Sequence, residues 1–250
     1  YYHLTSSNTG TKTLASLADV DGNLSIQGTA VFDVGANDVL LAGNWDNSST
    51  NADPFLEGVR TVTFNGGALQ NINNTGNANG TVFNNITVNN TTAIEAVRLN
   101  ADANFNGTLN LTDGHITTTA ANILTGGASA SVTLSAIPQD SSFVKGPMAH
   151  TVDVTISVIK IYPIGKNNDY RRLDFTIDQS AVTSTTYKAE MINTSASALG
   201  YTIPGTLTLD SDQRYYEITQ SAATGLDNVQ LRSYFQCMQK DDVVEDLPDL

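Results

Sequence analysis

Short apolar alternations separated by polar turns run along the whole chain. Val59–Gly66 is the clearest: Arg60, Val62 and Phe64 fall on one side, Val59, Thr61 and Thr63 on the other, and Asn65-Gly66 closes the run. Successive strand side chains point to opposite faces, so this pattern predicts a half-buried strand, and Asn-Gly supplies the positive-φ turn. Similar strands are predicted at Thr81–Val88, Ala96–Leu99, Thr108–Leu111 and His115–Thr119. No stretch carries apolar residues at the helical period in a Glu/Lys/Leu/Ala background.

The first half also repeats itself. Asp19-Val20-Asp21-Gly22-Asn23-Leu24-Ser25-Ile26 returns as Asn104-Phe105-Asn106-Gly107-Thr108-Leu109-Asn110-Leu111, each copy a polar turn followed by an alternating strand. Tyr1–Thr5 corresponds in the same way to Phe83–Thr87. Regularly spaced short strands suit a sandwich, a barrel or a β-solenoid, and the long repeat with Asn-rich turns favours the solenoid, in which each coil buries its apolar side chains against the next.

The character changes at about residue 137. Beyond Ile137-Pro138 the strands lengthen, as in Val152–Ile161, Arg172–Ile177, Thr186–Ile192, Leu207–Leu209, Tyr215–Thr219 and Val229–Phe235. The expectation is therefore all-β with two domains: a solenoid-like, parallel β-helix-like repeat over 1–137, and an antiparallel β-sandwich over 138–250 that continues past the C-terminus.

Composition sharpens this picture. Apolar residues make up 40% of the 250, enough for a core, while charged residues are only 15%, well below the usual ~25%. Thr, Asn, Ser and Gly carry the polarity, which suits strands and tight turns. A net charge of −13 with 12 scattered basic residues excludes a phosphate-binding footprint, and so nucleic acid as a partner. No apolar run is long enough to cross a bilayer, so membrane insertion is not expected. Cys237 stands alone and cannot form an intramolecular disulfide. The opening at Tyr1 and the unfinished look of the last ten residues read as a segment of something longer.

Gly22–Ile26, Gly43-Asn44-Trp45, Thr61–Gly66, Phe83–Val88 and Asn106–Leu111, in that order, resemble the repeats of very large surface proteins of the Bacteroidota, the kind that includes flavobacterial gliding adhesins. Phe143-Val144-Lys145-Gly146, Tyr162–Lys166, Tyr170-Arg171-Arg172 and Arg214–Ile218 resemble the module that follows those repeats. Gln236–Lys240 departs from that module's regular strand and acidic turn. The resemblance implies export by the type IX route, a cell-surface location, and adhesion, gliding motility or filament formation. It supplies no site residues.

Catalytic and ligand-binding motifs are largely absent from the sequence. HExxH, GxSxG, phosphate-loop and CxxC patterns do not occur. His3, His115 and His150 are far apart and read as partly exposed strand or loop residues. Asp19-x-Asp21-Gly22-Asn23-x-Ser25 has alternating oxygen ligands, but its glycine is fourth and its twelfth position is Ala30, so a turn explains it better than a calcium loop. Asp241, Asp242, Glu245, Asp246 and Asp249 are the candidate metal site, binding Ca²⁺ weakly at a junction between modules, against the alternative of a solvated acidic loop. No other cofactor is expected.

A polysaccharide lyase or hydrolase would use clustered carboxylates, but Asp33, Asp38, Asp46, Asp53, Glu57, Glu95, Asp102 and Asp113, with Arg60 and Arg98, are dispersed along the first half. Trp45, Tyr162, Tyr170, Tyr201, Tyr215 and Tyr216 could stack on sugars, though aromatics in β-proteins are more often core. Sequons such as Asn85, Asn106 and Asn193 are expected by chance in so Asn/Thr-rich a chain. The expectation is a non-enzymatic structural or adhesive module, extracellular, whose partners are neighbouring modules or copies of itself and surface glycans. The alternative is a carbohydrate-binding or polysaccharide-cleaving β-helix protein.

Overall fold

Leu4, Leu24 and Trp45 stand directly over one another, each on a strand parallel to the next. Stacking of this kind organises most of the chain, in a computed structural model that describes residues 1–77, 80–92, 95–134, 141–153, 156–179, 184–200, 213–221 and 226–233.

Three short strands make each coil. The first holds β1 (Leu4–Ser6), β2 (Thr9–Thr13) and β3 (Ala18–Val20), and the second β4 (Leu24–Ile26), β5 (Thr29–Asp33) and β6 (Val39–Leu41). The third holds β7 (Trp45–Asn47), β8 (Phe55–Leu56) and β9 (Thr61–Phe64), and the fourth β10 (Gln70–Asn74), β11 (Thr81–Phe83) and β12 (Asn85–Asn89). The fifth has β13 (Val97–Leu99), β14 (Ala103–Phe105) and β15 (Thr108–Asp113), and the sixth β16 (Ile116–Thr117), β17 (Leu124–Gly126) and β18 (Ser131–Leu134). First strands of successive coils pair with one another along one face and third strands along another, while the middle strands form two ladders, β2–β5–β8 and one that begins β11–β14–β17, so the protein is a parallel β-solenoid of about six turns.

Period-two alternation decides which side chains go inside. Leu24 and Ile26 are buried while Ser25 between them is not, and Val62 and Phe64 alternate with Thr61 and Thr63 in the same way. Coil upon coil, the inward residues form a continuous apolar interior. An aromatic cluster lies within it: Trp45 lies edge-on to Phe55 at 4.7 Å and to Phe83 at 4.9 Å, and Phe64 meets Phe83 at 6.1 Å. Edge-to-face packing of this kind adds to burial.

Polar side chains tie the corners. His3 Nδ1 accepts the Asn23 N–H at 2.8 Å, Asn23 Oδ1 accepts the Asn44 N–H at 3.0 Å, and Asn44 Oδ1 accepts the Asn71 N–H at 2.8 Å. Asp38 does the same for Thr61, Asn85 for Thr108 and Asp102 for Ile123. In each case a side chain of one coil satisfies a backbone donor of the next at a point where the ladder would leave it open.

The 85-residue repeat of the sequence (19 to 104) is not the coil repeat. Leu24 pairs with Leu4, Val97 with Gln70 and Ile116 with Val97, steps of 20, 27 and 19 residues. The first copy of the repeat turns from the third face to the first, the second from the middle face to the third. The copies are alike because a corner needs the same chemistry whichever faces it joins. One detail is corrected: Asn104, read as a turn residue, lies on β14.

The parallel ladders run on past residue 137. β19 (Val144–Lys145) pairs with β16, β20 (Met148–Val152) with β17, and, after β21 (Ile156–Tyr162), β22 (Ile164–Lys166) pairs with β19, all parallel. Antiparallel pairing begins with β23 (Asp169–Tyr170) on β22. β24 (Leu173–Gln179) lies between β21 and β27 (Leu226–Ser233), and β25 (Thr185–Ile192) between β20 and β26 (Tyr215–Gln220). The middle face is thus parallel up to β20 and antiparallel from β25 onward. Ala196–Leu199 is a short 3₁₀ turn, and no helix among the described residues is long and apolar enough to cross a membrane. The predicted run Val152–Ile161 is two strands, and Leu207–Leu209 lies outside the described residues.

Candidate functional site

The residues singled out in the sequence do not converge. Asp241, Asp242, Glu245, Asp246 and Asp249, with Tyr201 and Cys237, lie outside the described residues. His115 and His150, expected to be partly exposed, are buried: His115 packs on Phe143 with ring centres 4.2 Å apart, and His150 lies edge-on to Tyr162 with Nε2 3.0 Å from the Ile161 carbonyl. Burial, then the nearby Lys160 ammonium, push His150 down to about 3, so it is neutral at ordinary pH. At Asp21-Gly22 the chain turns a corner so tightly that a Cβ on Gly22 would overlap the Tyr2 carbonyl.

Asp33, Asp38, Asp46, Glu95 and Asp102 act as structural acceptors. Asp33 accepts from the Thr13 hydroxyl and the Gly35 N–H, both at 2.8 Å, and Asp46 accepts from Asn73 Nδ2 at 2.6 Å. Glu95 is bound by Arg98, whose Nε lies 2.8 Å from Oε1, and that contact holds the Glu95 carboxyl below its usual range. Trp45, Tyr162 and Tyr170 are interior, so they offer no sugar-stacking face; Tyr215 and Tyr216 are partly exposed.

What the fold does assemble is a cleft of about 340 Å³ on the outer surface of the middle face. Register builds its floor. Asn104 of β14 pairs with Thr125 of β17, Thr125 with Ala149 of β20, Ala149 with Lys188 of β25, and Lys188 with Thr219 of β26. Ala149 is the small residue in this row and is buried, so the floor is lowest there. Asp102 and Ile123 border one side, Thr186, Gln220 and Ser221 the other.

The walls are fixed by hydrogen bonds. Asp102 Oδ1 accepts the Ile123 N–H at 2.7 Å, Ser221 Oγ accepts the Thr186 N–H at 3.0 Å, and the Thr186 and Thr151 hydroxyls are 3.3 Å apart. Among the described residues the Lys188 ammonium forms no salt bridge, whereas Lys166 is bound to Glu190 at 2.8 Å. Of the cleft residues, Asp102 alone is a site candidate by sequence. Alternation in Ala103-Asn104-Phe105 does put Asn104 outward, but that Lys188 shares its row, 84 positions later (104 to 188), follows only from strand pairing.

No protein-family model, curated protein or solved structure matches the chain.

Proposed function

We propose that the chain is a structural and adhesive module of an extracellular cell-surface protein or filament, giving length and a flank for attachment, as the Bacteroidota resemblance implies. The observation that carries this reading is the stack itself. Six coils share one apolar interior filled by their own side chains, so the construction is extended by adding coils, each stabilised by its neighbour. β1, β2 and β3 are each the last strand of a face, and their outer edges suit pairing with a coil of a neighbouring module or of another copy.

The proposal includes a β-sandwich within 138–250. Two antiparallel groups, β20–β25–β26 and β21–β24–β27, support it, with Phe175 meeting Tyr162 at 6.5 Å and Tyr187 at 5.3 Å. The carbohydrate-binding alternative gains support from the cleft on the middle face. The cleaving alternative gains none from Asp33, Asp38, Asp46 and Asp102, engaged in corner and cross-strand bonds, or from Glu95, engaged by Arg98.

Electron microscopy of the native full-length material tests the proposal. Elongated particles or fibres with density repeating at ~4.8 Å along the long axis, the spacing of stacked strands, are the expected result. Discrete globular particles that depolymerise a polysaccharide would overturn it.

A further inference from the structure

We propose that the cleft on the middle face binds an acidic oligosaccharide, with a sugar carboxylate at Lys188 and sugar hydroxyls along the side chains of Asn104, Thr125 and Thr219. The inference rests on the attachment half of the reading above and names what is attached.

The lining selects the ligand class. Hydroxyl and carboxamide side chains dominate it, and these groups both donate and accept hydrogen bonds, as sugar hydroxyls do. Ile123 and Ala149 are its wholly apolar lining residues and no aromatic ring is among them, so it lacks the deep apolar pocket that anchors an aromatic side chain of a peptide. Polyanions are disfavoured because the cleft holds one cation and one carboxylate, Lys188 and Asp102, in a chain of net charge −13. A singly charged carboxylate among neutral hydroxyls fits that balance.

Geometry adds two points. The row from Asn104 to Thr219 crosses five strands at the ~4.8 Å inter-strand step, offering polar groups at regular intervals along a chain of linked sugars. The wall hydrogen bonds at Asp102 and Ser221 hold both sides in place before any ligand arrives, which lowers the entropy lost on binding. The low floor at Ala149 gives room for a ring between the Thr125 and Lys188 side chains.

Calorimetric titration of the chain with a neutral-backbone oligosaccharide bearing a single glucuronate branch, a monosialylated oligosaccharide and their uncharged counterparts tests this. At least one acidic saccharide should bind at least tenfold more tightly than its uncharged counterpart, with affinity falling as salt is raised. Lys188→Met and Thr125→Val should each weaken that binding at least tenfold without changing the circular dichroism spectrum or the melting temperature. Lys145→Met, on the first face, should leave it unchanged. No binding across the panel, or binding indifferent to charge and to Lys188→Met, would overturn the inference. Fibres that bind no saccharide overturn this inference and leave the length-giving role standing; globular particles that bind an acidic saccharide through Lys188 do the reverse.

Discussion

Gly22 and Gly43 show how little space a corner allows. Each precedes an asparagine and a strand of the first face, and the two corners lie one above the other. A Cβ at Gly43 would overlap the Gly22 backbone carbonyl, and neither backbone can move without breaking the ladder beside it. Gly43→Ala should therefore lower stability by about 1–3 kcal/mol, the usual cost of forcing extra volume into a packed site, seen as a lower denaturant midpoint with an unchanged slope. Gly67, where an added Cβ meets only the Thr91 hydroxyl at ordinary contact distance, is the control that should tolerate alanine.

Between strands, the unit of cohesion is the side-chain ladder at the corners. Asn44 accepts the Asn71 backbone N–H at 2.8 Å and gives its own N–H to Asn23. Asn44→Ala removes the acceptor and leaves the half-buried Asn71 donor unsatisfied; the expected loss is roughly 1–2 kcal/mol, more than the net worth of an exposed hydrogen bond. Amide exchange should quicken at Asn71 and its β10 neighbours, not at β15, which separates loss of this link from general loosening. In sequence the ladder is visible only as Asn, Asp or His at or just before the start of a strand; which N–H each one reaches depends on the length of the intervening coil, and that length varies.

Across the whole molecule, acid stability hinges on a buried histidine near the last parallel coils. His150 has its pKa pushed to about 3 by burial and then by Lys160. An unfolded chain takes up that proton at about 6.5, the folded one not until about 3, so between those values the unfolded state binds more protons and stability falls as pH is lowered. One such site contributes a slope of about 1.4 kcal/mol per pH unit. Glu95, held below 4.5 by Arg98, loses its contribution only at lower pH; Glu57, raised above 4.5 by burial, acts in the opposite direction just above that value. Melting temperature measured from pH 6.5 down to 5.5 should fall in the wild type and stay nearly flat in His150→Gln. Equal slopes would mean that His150 takes up its proton at the same pH in the folded and unfolded chains. Lys160, buried with its ammonium 2.7 Å from the Ala128 carbonyl, likewise has its pKa lowered by burial, so its charge costs stability that returns as pH rises toward 10.5.

The sequence by itself determined what depends on neighbours along the chain. Alternation in runs such as Thr61–Phe64 set strand and burial together, because a strand's faces are fixed two residues at a time. Paired Gly and Asn residues marked the corners because few other residues fit there. Tertiary structure alone decided the relations across coils. Steps of 19 to 28 residues between stacked positions leave no fixed period to read, so the sequence repeat aligned corners belonging to different faces. His115 and His150 went inside because the segments carrying them met aromatic neighbours from other coils, Phe143 for His115, Phe105 and Tyr162 for His150. The cleft exists because parallel pairing up to β20 and antiparallel pairing beyond it place Asn104, Thr125, Lys188 and Thr219 in one row. Strand register joins residues by backbone hydrogen bonds that carry no signature of the side chains they align, so that row had to be seen in three dimensions.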